Sequence, residues 1–139
     1  MFKKILNAND GSERAFKALG AAIEVAALTK AELHMIMVEE LPNFPATIDE
    51  IIEEKSEADH RYGPAVRRAR ELARKGSVAL AAHVVAGHAV QRIVKFVEDE
   101  GCDLLVIGFM GHSALYERII GGTADRLVRL APCTVMVIK

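Results

Sequence analysis

Apolar positions along the chain fall into short continuous runs, separated by longer stretches in which they return every third or fourth residue. Phe2 to Ala8 holds the run Ile5-Leu6 and stops at Asn9-Asp10-Gly11-Ser12, which predicts a strand and then a turn. Ser12 can cap a following helix with its hydroxyl, and Glu13 suits the positive end of that helix. Phe16, Leu19, Gly20, Ile23, Ala26 and Ala27 then form one stripe, so a helix is predicted from about Glu13 to Thr29. Leu33 to Val38 is apolar at nearly every position, the pattern of a strand covered on both faces. Leu41-Pro42-Asn43-Phe44-Pro45 is a loop by its prolines. Thr47 to Lys75 is helical and highly charged, and Gly63-Pro64 either kinks one helix or separates two. Ser77 to Val85 is a third strand, Ala89 to Glu100 a helix that Gly101 closes, and Leu104 to Gly108 a fourth strand. A helix from about Gly121 to Leu130 stops before Pro132, and Thr134 to Ile138 is the last strand.

Strands alternating with helices predict a parallel sheet covered on both faces, one α/β domain over residues 1–139 with five strands. Composition fits this class, with 51% apolar and 27% charged residues. A formal net charge of −1 speaks against a nucleic-acid partner, which calls for a basic excess. The longest stretch without charged residues, Gly76 to Gln91, falls short of the roughly 20 apolar residues of a membrane helix, and the first residues form no signal peptide. Cys102 and Cys133 read as reduced core thiols, and the expected setting is the cytoplasm.

Parallel α/β sheets bind ligands where their strands end, so chemistry is sought at Asn9 to Ser12, Glu39 and Glu40, Gly87 and His88, and from Gly108 onward. Four of the ten glycines, Gly108, Gly111, Gly121 and Gly122, lie within 15 residues of that last segment. Glycines let a backbone turn its amides onto an anion, and the final pair opens a helix, so a phosphate is the expected guest. The P-loop and dinucleotide glycine patterns are absent. Gly111-His112-Ser113 begins like a nucleophile elbow, but Leu115 stands where that motif needs glycine, so Ser113 reads as a loop hydroxyl or phosphate contact.

These residues resemble a known family. Gly108-x-x-Gly111, nine residues, then Gly121 is similar to the Gly-2x-Gly-9x-Gly-Ser/Thr signature of ATP-binding universal stress proteins. Asp103 to Gly108, Ala131 to Ile138, and the opening Ile5-Leu6 with Asp10-Gly11-Ser12 extend the likeness across the chain. The resemblance implies an adenine nucleotide alpha hydrolase-like, Rossmann-like fold with strand order 3-2-1-4-5. It implies ATP or AMP as ligand, with the backbone around Ala8, Asn9 and Met35 at the adenine and Asp10 at the ribose or adenine. The amides of Gly111, Gly121, Gly122 and Thr123 would hold phosphates, with Gly108 allowing close approach, and Ile107 would be among the nucleotide-binding residues. It further implies a homodimer through antiparallel pairing of Val135 to Ile138, which also covers an apolar edge strand.

Two departures bear on the site. Gly122 stands where the family has Ser or Thr, and a lost hydrogen bond to a charged group costs on the order of 1.5–3 kcal/mol. Thr123 lies about 100° further round the helix. Asn7 and Asn9 replace apolar residues of the first strand, where an amide near the base would change which nucleotide fits. His34 and His83 read as satisfied sheet histidines, His88 as lining the cleft mouth, and His112 as either a phosphate contact or a solvated loop residue. Glu39 and Glu40 are candidates for Mg²⁺ beside phosphate oxygens, or are simply solvated. The basic helix face of Arg67, Arg68, Arg70, Arg74 and Lys75 reads as solvent-facing charge. No base, nucleophile or acidic metal cluster is evident, so the expected function is nucleotide-dependent regulation in the stress response with little or no turnover. The alternative is a dimeric interaction module whose nucleotide cleft is empty or degenerate. An adenylating enzyme ranks last, because Asn9-Asp10-Gly11-Ser12 does not match the Ser-Gly-Gly-x-Asp-Ser loop of that class.

Overall fold

The computed structural model describes residues 1–40, 48–109 and 122–139, with backbone only for 48–60. The elements run β1 (Lys4–Ala8), α1 (Glu13–Thr29), β2 (Glu32–Glu40), α2 (Ile48–Lys75), β3 (Leu80–Gly87), α3 (Ala89–Glu100), β4 (Leu104–Gly108), α4 (Gly122–Leu130) and β5 (Thr134–Ile138). The five strands are parallel in the order β3-β2-β1-β4-β5, as expected. Ser12 caps α1 by accepting the Ala15 N–H at 3.2 Å, and Gly101 ends α3 at φ 67°. Both caps follow the sequence. Gly63-Pro64 lies within a single α2. The strand β3 starts three residues later than the sequence pattern suggests. Ser77 takes a left-handed turn at φ 59° and the Val78 N–H returns to the Ala73 carbonyl, so the chain is still leaving α2 there.

Alternating strand residues feed two cores. Ile5, Leu33, Met35, Met37, Leu104 and Val106 pack with residues of α1 and α2. Leu6, Ile36, Leu105 and Ile107 pack on the opposite face with Val90, Ile93 and Val97 of α3 and Leu127 of α4. The start of α1 is pinned to α2 by Arg68, which forks onto Glu13 at 2.8 and 2.9 Å and lies 3.9 Å over the Phe16 ring. Arg68 holds the Glu13 carboxyl below its ordinary range. At the other end of the sheet, Asp103 accepts the Lys3 and Lys4 N–H groups at 2.8 and 3.1 Å. Burial alone would raise the Asp103 pKa, but these bonds outweigh it and lower the value. Cys102 and Cys133 are free thiols, and burial pushes Cys102 up to about 11.

One detail decides where the sheet opens. The ladder between β1 and β4 has three pairs, Ile5↔Leu104, Leu6↔Leu105 and Asn7↔Val106. Beyond it each strand bonds only outward: Asn9 N–H to the Ile36 carbonyl on β2, and Phe109 N–H to the Ile138 carbonyl on β5. The central strands therefore part at their carboxyl ends, at the point where the strand order reverses.

His34 of β2 and His83 of β3 satisfy each other, with Nδ1 of the first 3.0 Å from Nε2 of the second and Phe96 of α3 tilted against both rings. Glu32 lies 3.4 Å from the other nitrogen of His34, and Lys4 reaches both Glu32 and Glu100. Burial, then the charge of His34, lowers the His83 pKa from 6.5, while Glu100 opposes. A base with a depressed folded-state pKa contributes stability above its unfolded pKa and loses it as pH falls. Urea midpoints should therefore drop as pH falls below about 6.5, and less steeply in His83→Gln. Equal slopes in the two proteins would refute a role for this pair.

Candidate functional site

The turn after β1 is built from short side chains that bond their own backbone. Asn9 Oδ1 accepts the Gly11 N–H at 2.8 Å, and Asp10 Oδ1 accepts the Ser12 N–H at 3.0 Å. Gly11 takes φ 85°, a conformation that costs glycine nothing. Opposite this turn, Gly108 ends β4. A Cβ there would meet the Arg14 carbonyl oxygen at 3.1 Å and carbon at 3.2 Å, so its bare Cα lets the first turn of α1 lie against the strand. The close approach that Gly108 permits is thus to protein backbone.

Between these strand ends lies a cleft of about 300 Å³. Ala8, Ile36, Val38 and Ile107 form its floor, and Ile93 and Leu127 flank it from α3 and α4. Asn9, Asp10, Ser12 and Thr123 bring polar atoms to its edge. First-turn residues of three helices line it: Ala15 of α1, Ala89 of α3, and Gly122 with Thr123 of α4. The Ala15 N–H is already bonded by the Ser12 hydroxyl and the Ala89 N–H by Glu40, which itself lines the cleft, so the helix end that can favour an anion here is the start of α4 at Gly122 and Thr123. No aromatic ring is among its described lining residues. Phe109 is buried elsewhere, with its ring 5.5 Å from the Lys139 ammonium.

Of the residues expected at a site, Ala8, Asn9, Asp10, Ile107, Gly108, Gly122 and Thr123 meet at this cleft. Gly111, His112, Ser113 and Gly121 lie outside the described residues. The Met35 side chain is fully buried in the core on the α1 and α2 side, because it pairs in register with Asn7 and shares that residue's face, and it is the backbone of Met35 that the resemblance places at the adenine. Its neighbour Ile36 pairs with Ala8 and faces the cleft. Only the register with β1 reveals this face, and Ala89, Ala124 and the α3 residues carry no sequence signal for it.

Glu40 has a partner that the sequence does not suggest. Its Oε1 accepts the Ala89 N–H at 2.9 Å and its Oε2 lies 3.5 Å from His88, so it caps α3 where His88 makes no capping bond of its own. Among the described residues no three His, Cys, Asp or Glu converge on a metal position. Asn7 departs from expectation as well. Its side chain is buried on the α1 side and bonds the Val106 carbonyl at 3.1 Å, away from a ligand in the cleft.

A doubly wound α/β domain with a crevice at its switch point, lined by helix N-termini, defines a class of small-anion or nucleotide binders. The chain belongs to the universal stress protein family, whose model matches residues 1–139. Universal stress protein MJ0531 of Methanocaldococcus jannaschii is 29% identical over 147 residues, an alignment covering all of this chain and 83% of that protein. Among solved structures, universal stress protein UspA from Lactobacillus plantarum superposes with a TM-score of 0.87 at 23% identity, covering 99% of this chain and 98% of that one. A universal stress protein in complex with cAMP gives 0.77 at 20%, covering 99% and 97%. The protein from Archaeoglobus fulgidus in complex with dAMP gives 0.67 at 24%, covering 99% and 98%. These likenesses concern the fold. No helix among the described residues is long and apolar enough to cross a membrane.

Proposed function

We propose that the chain binds an adenine nucleotide, ATP or AMP, in this cleft and acts as a regulatory protein of the stress response with little or no turnover. The observation that carries the reading is the meeting of the α4 N-terminus, at Gly122 and Thr123, with the Asp10 turn at one aliphatic crevice. The dAMP and cAMP complexes of proteins with this fold support it. In this assignment Ala8, Ile36, Val38 and Ile107 pack on the base, Asp10 bonds the ribose, and the start of α4 at Gly122 and Thr123 takes phosphate. The family resemblance adds Gly111, His112, Ser113 and Gly121 on the phosphate side. In this reading aliphatic packing and backbone bonds hold the base, which the aliphatic described lining supports. Mg²⁺ enters with the phosphate oxygens of the nucleotide. Two copies pair through β5, an edge strand whose Val135 to Ile138 are only half-buried, and the expected setting is the cytoplasm.

The test is direct. Heat-denatured protein should release an adenine nucleotide into the supernatant, and stripped protein should bind ATP on titration. No released nucleotide and no binding at millimolar ATP would overturn the reading in favour of an interaction module with an empty cleft.

A further inference from the structure

Asn7 is an oddity that nucleotide binding alone leaves unused. It is a fully buried amide in the central strand of the sheet, 0% exposed, and Asn9 two residues on is 4% exposed. The two side chains form a continuous chain of bonds. Asn7 Nδ2 donates to the Val106 carbonyl at 3.1 Å, Asn9 Nδ2 donates to Asn7 Oδ1 at 3.4 Å, and Asn9 Oδ1 accepts the Gly11 N–H at 2.8 Å. The polarity of this chain is set at both ends by the backbone. A carbonyl can only accept, so Asn7 must turn its NH2 to Val106 and its oxygen to Asn9. An N–H can only donate, so Asn9 must turn its oxygen to Gly11 and its NH2 to Asn7. The two requirements agree.

The location gives the chain its use. Asn7↔Val106 is the last pair before β1 and β4 part. From there the backbone of β1 bonds only to β2, so these amides tie the Asp10 turn back to β4 across the mouth of the opening. We propose that Asn7 and Asn9 are positioning residues: their buried amide relay, anchored on Val106, fixes the Gly11 turn and so sets Asp10 at the cleft. The inference rests on the nucleotide-binding reading but predicts a rigidity that is measurable without ligand. It gives the Asn9 amide a structural use beside the one expected at the base, since Asn7 and Gly11 both bond it.

The experiment compares the wild-type chain with Asn9→Val, Asn9→Ser and Asn7→Leu. Valine removes the acceptor for the Gly11 N–H, whereas serine keeps one through an equivalent hydroxyl turn. In ligand-free Asn9→Val and Asn7→Leu, amide hydrogen exchange at Gly11 and Ser12 should accelerate by about tenfold or more while Leu105 stays protected. Affinity for ATP should fall about tenfold in Asn9→Val and return to near wild type in Asn9→Ser. A merely structural role would lower stability in all three variants without separating serine from valine in affinity. Unchanged exchange at Gly11 in folded Asn9→Val would overturn the relay, whether or not Asn7→Leu folds. A wild-type chain that binds no nucleotide would end the functional reading alone, since exchange still decides the relay.

Discussion

Gly108→Val is expected to cost about 3 kcal/mol of stability, the upper part of the usual range for overpacking a close-packed site. The magnitude follows from what the new side chain meets. An added Cβ stands 3.1 Å from the Arg14 oxygen, 3.2 Å from the Arg14 carbon and 3.4 Å from the Ala15 nitrogen. These are backbone atoms of a helix held by the Ser12 cap and by Glu13–Arg68, so no rotamer change relieves the contact. Either α1 or the end of β4 must move, and valine adds two methyl groups beyond the Cβ. Gly108→Ala asks for a few tenths of an ångström and should cost clearly less. Chemical denaturation of the three proteins measures the series. A valine variant within about 1 kcal/mol of wild type would mean that the contact yields easily and that the glycine serves only the ligand.

Ala8→Leu is expected to separate binding from folding. Ala8 lies on the floor of the cleft and pairs in register with Ile36 of β2. The added carbons would project into the opening where the base is assigned, without touching the caps or the relay. Affinity for ATP should fall by about a hundredfold or more, because the base and the side chain compete for one space of about 300 Å³. Stability should hold or rise, because filling a cavity with apolar atoms commonly adds about 0.5–2 kcal/mol. Calorimetric titration and thermal melts on one preparation give both numbers. Unchanged affinity in the folded variant would remove the base from Ala8.

The element order was legible because apolar runs alternate with helical stripes, and the runs are longest in the inner strands β2 and β4, which are buried on both faces. The ends of α1 and α3 were legible because Ser12 and Gly101 carry their capping chemistry in their own residue type. The cleft was half legible. Which residues follow a strand can be counted, but Met35 and Ile36 are both apolar, and only pairing with β1 decides which of them faces the cleft. Glu40 capping α3 at Ala89 joins residues 49 apart, a contact that local pattern does not encode. The partner of Gly108 is α1 backbone, whose approach depends on how helix and strand pack. The asparagines were visible as departures from an apolar strand, yet their direction waited on register.

The short ladder between β1 and β4 has a mechanical meaning. Three strands on one side and two on the other meet along a ladder of three residue pairs, with α1 packed across both. A molecule seated where the two sides diverge touches both, and acts as a strut beyond the end of the ladder. Filling the crevice would then be expected to slow amide exchange at the ends of both β1 and β4, and not only in one loop.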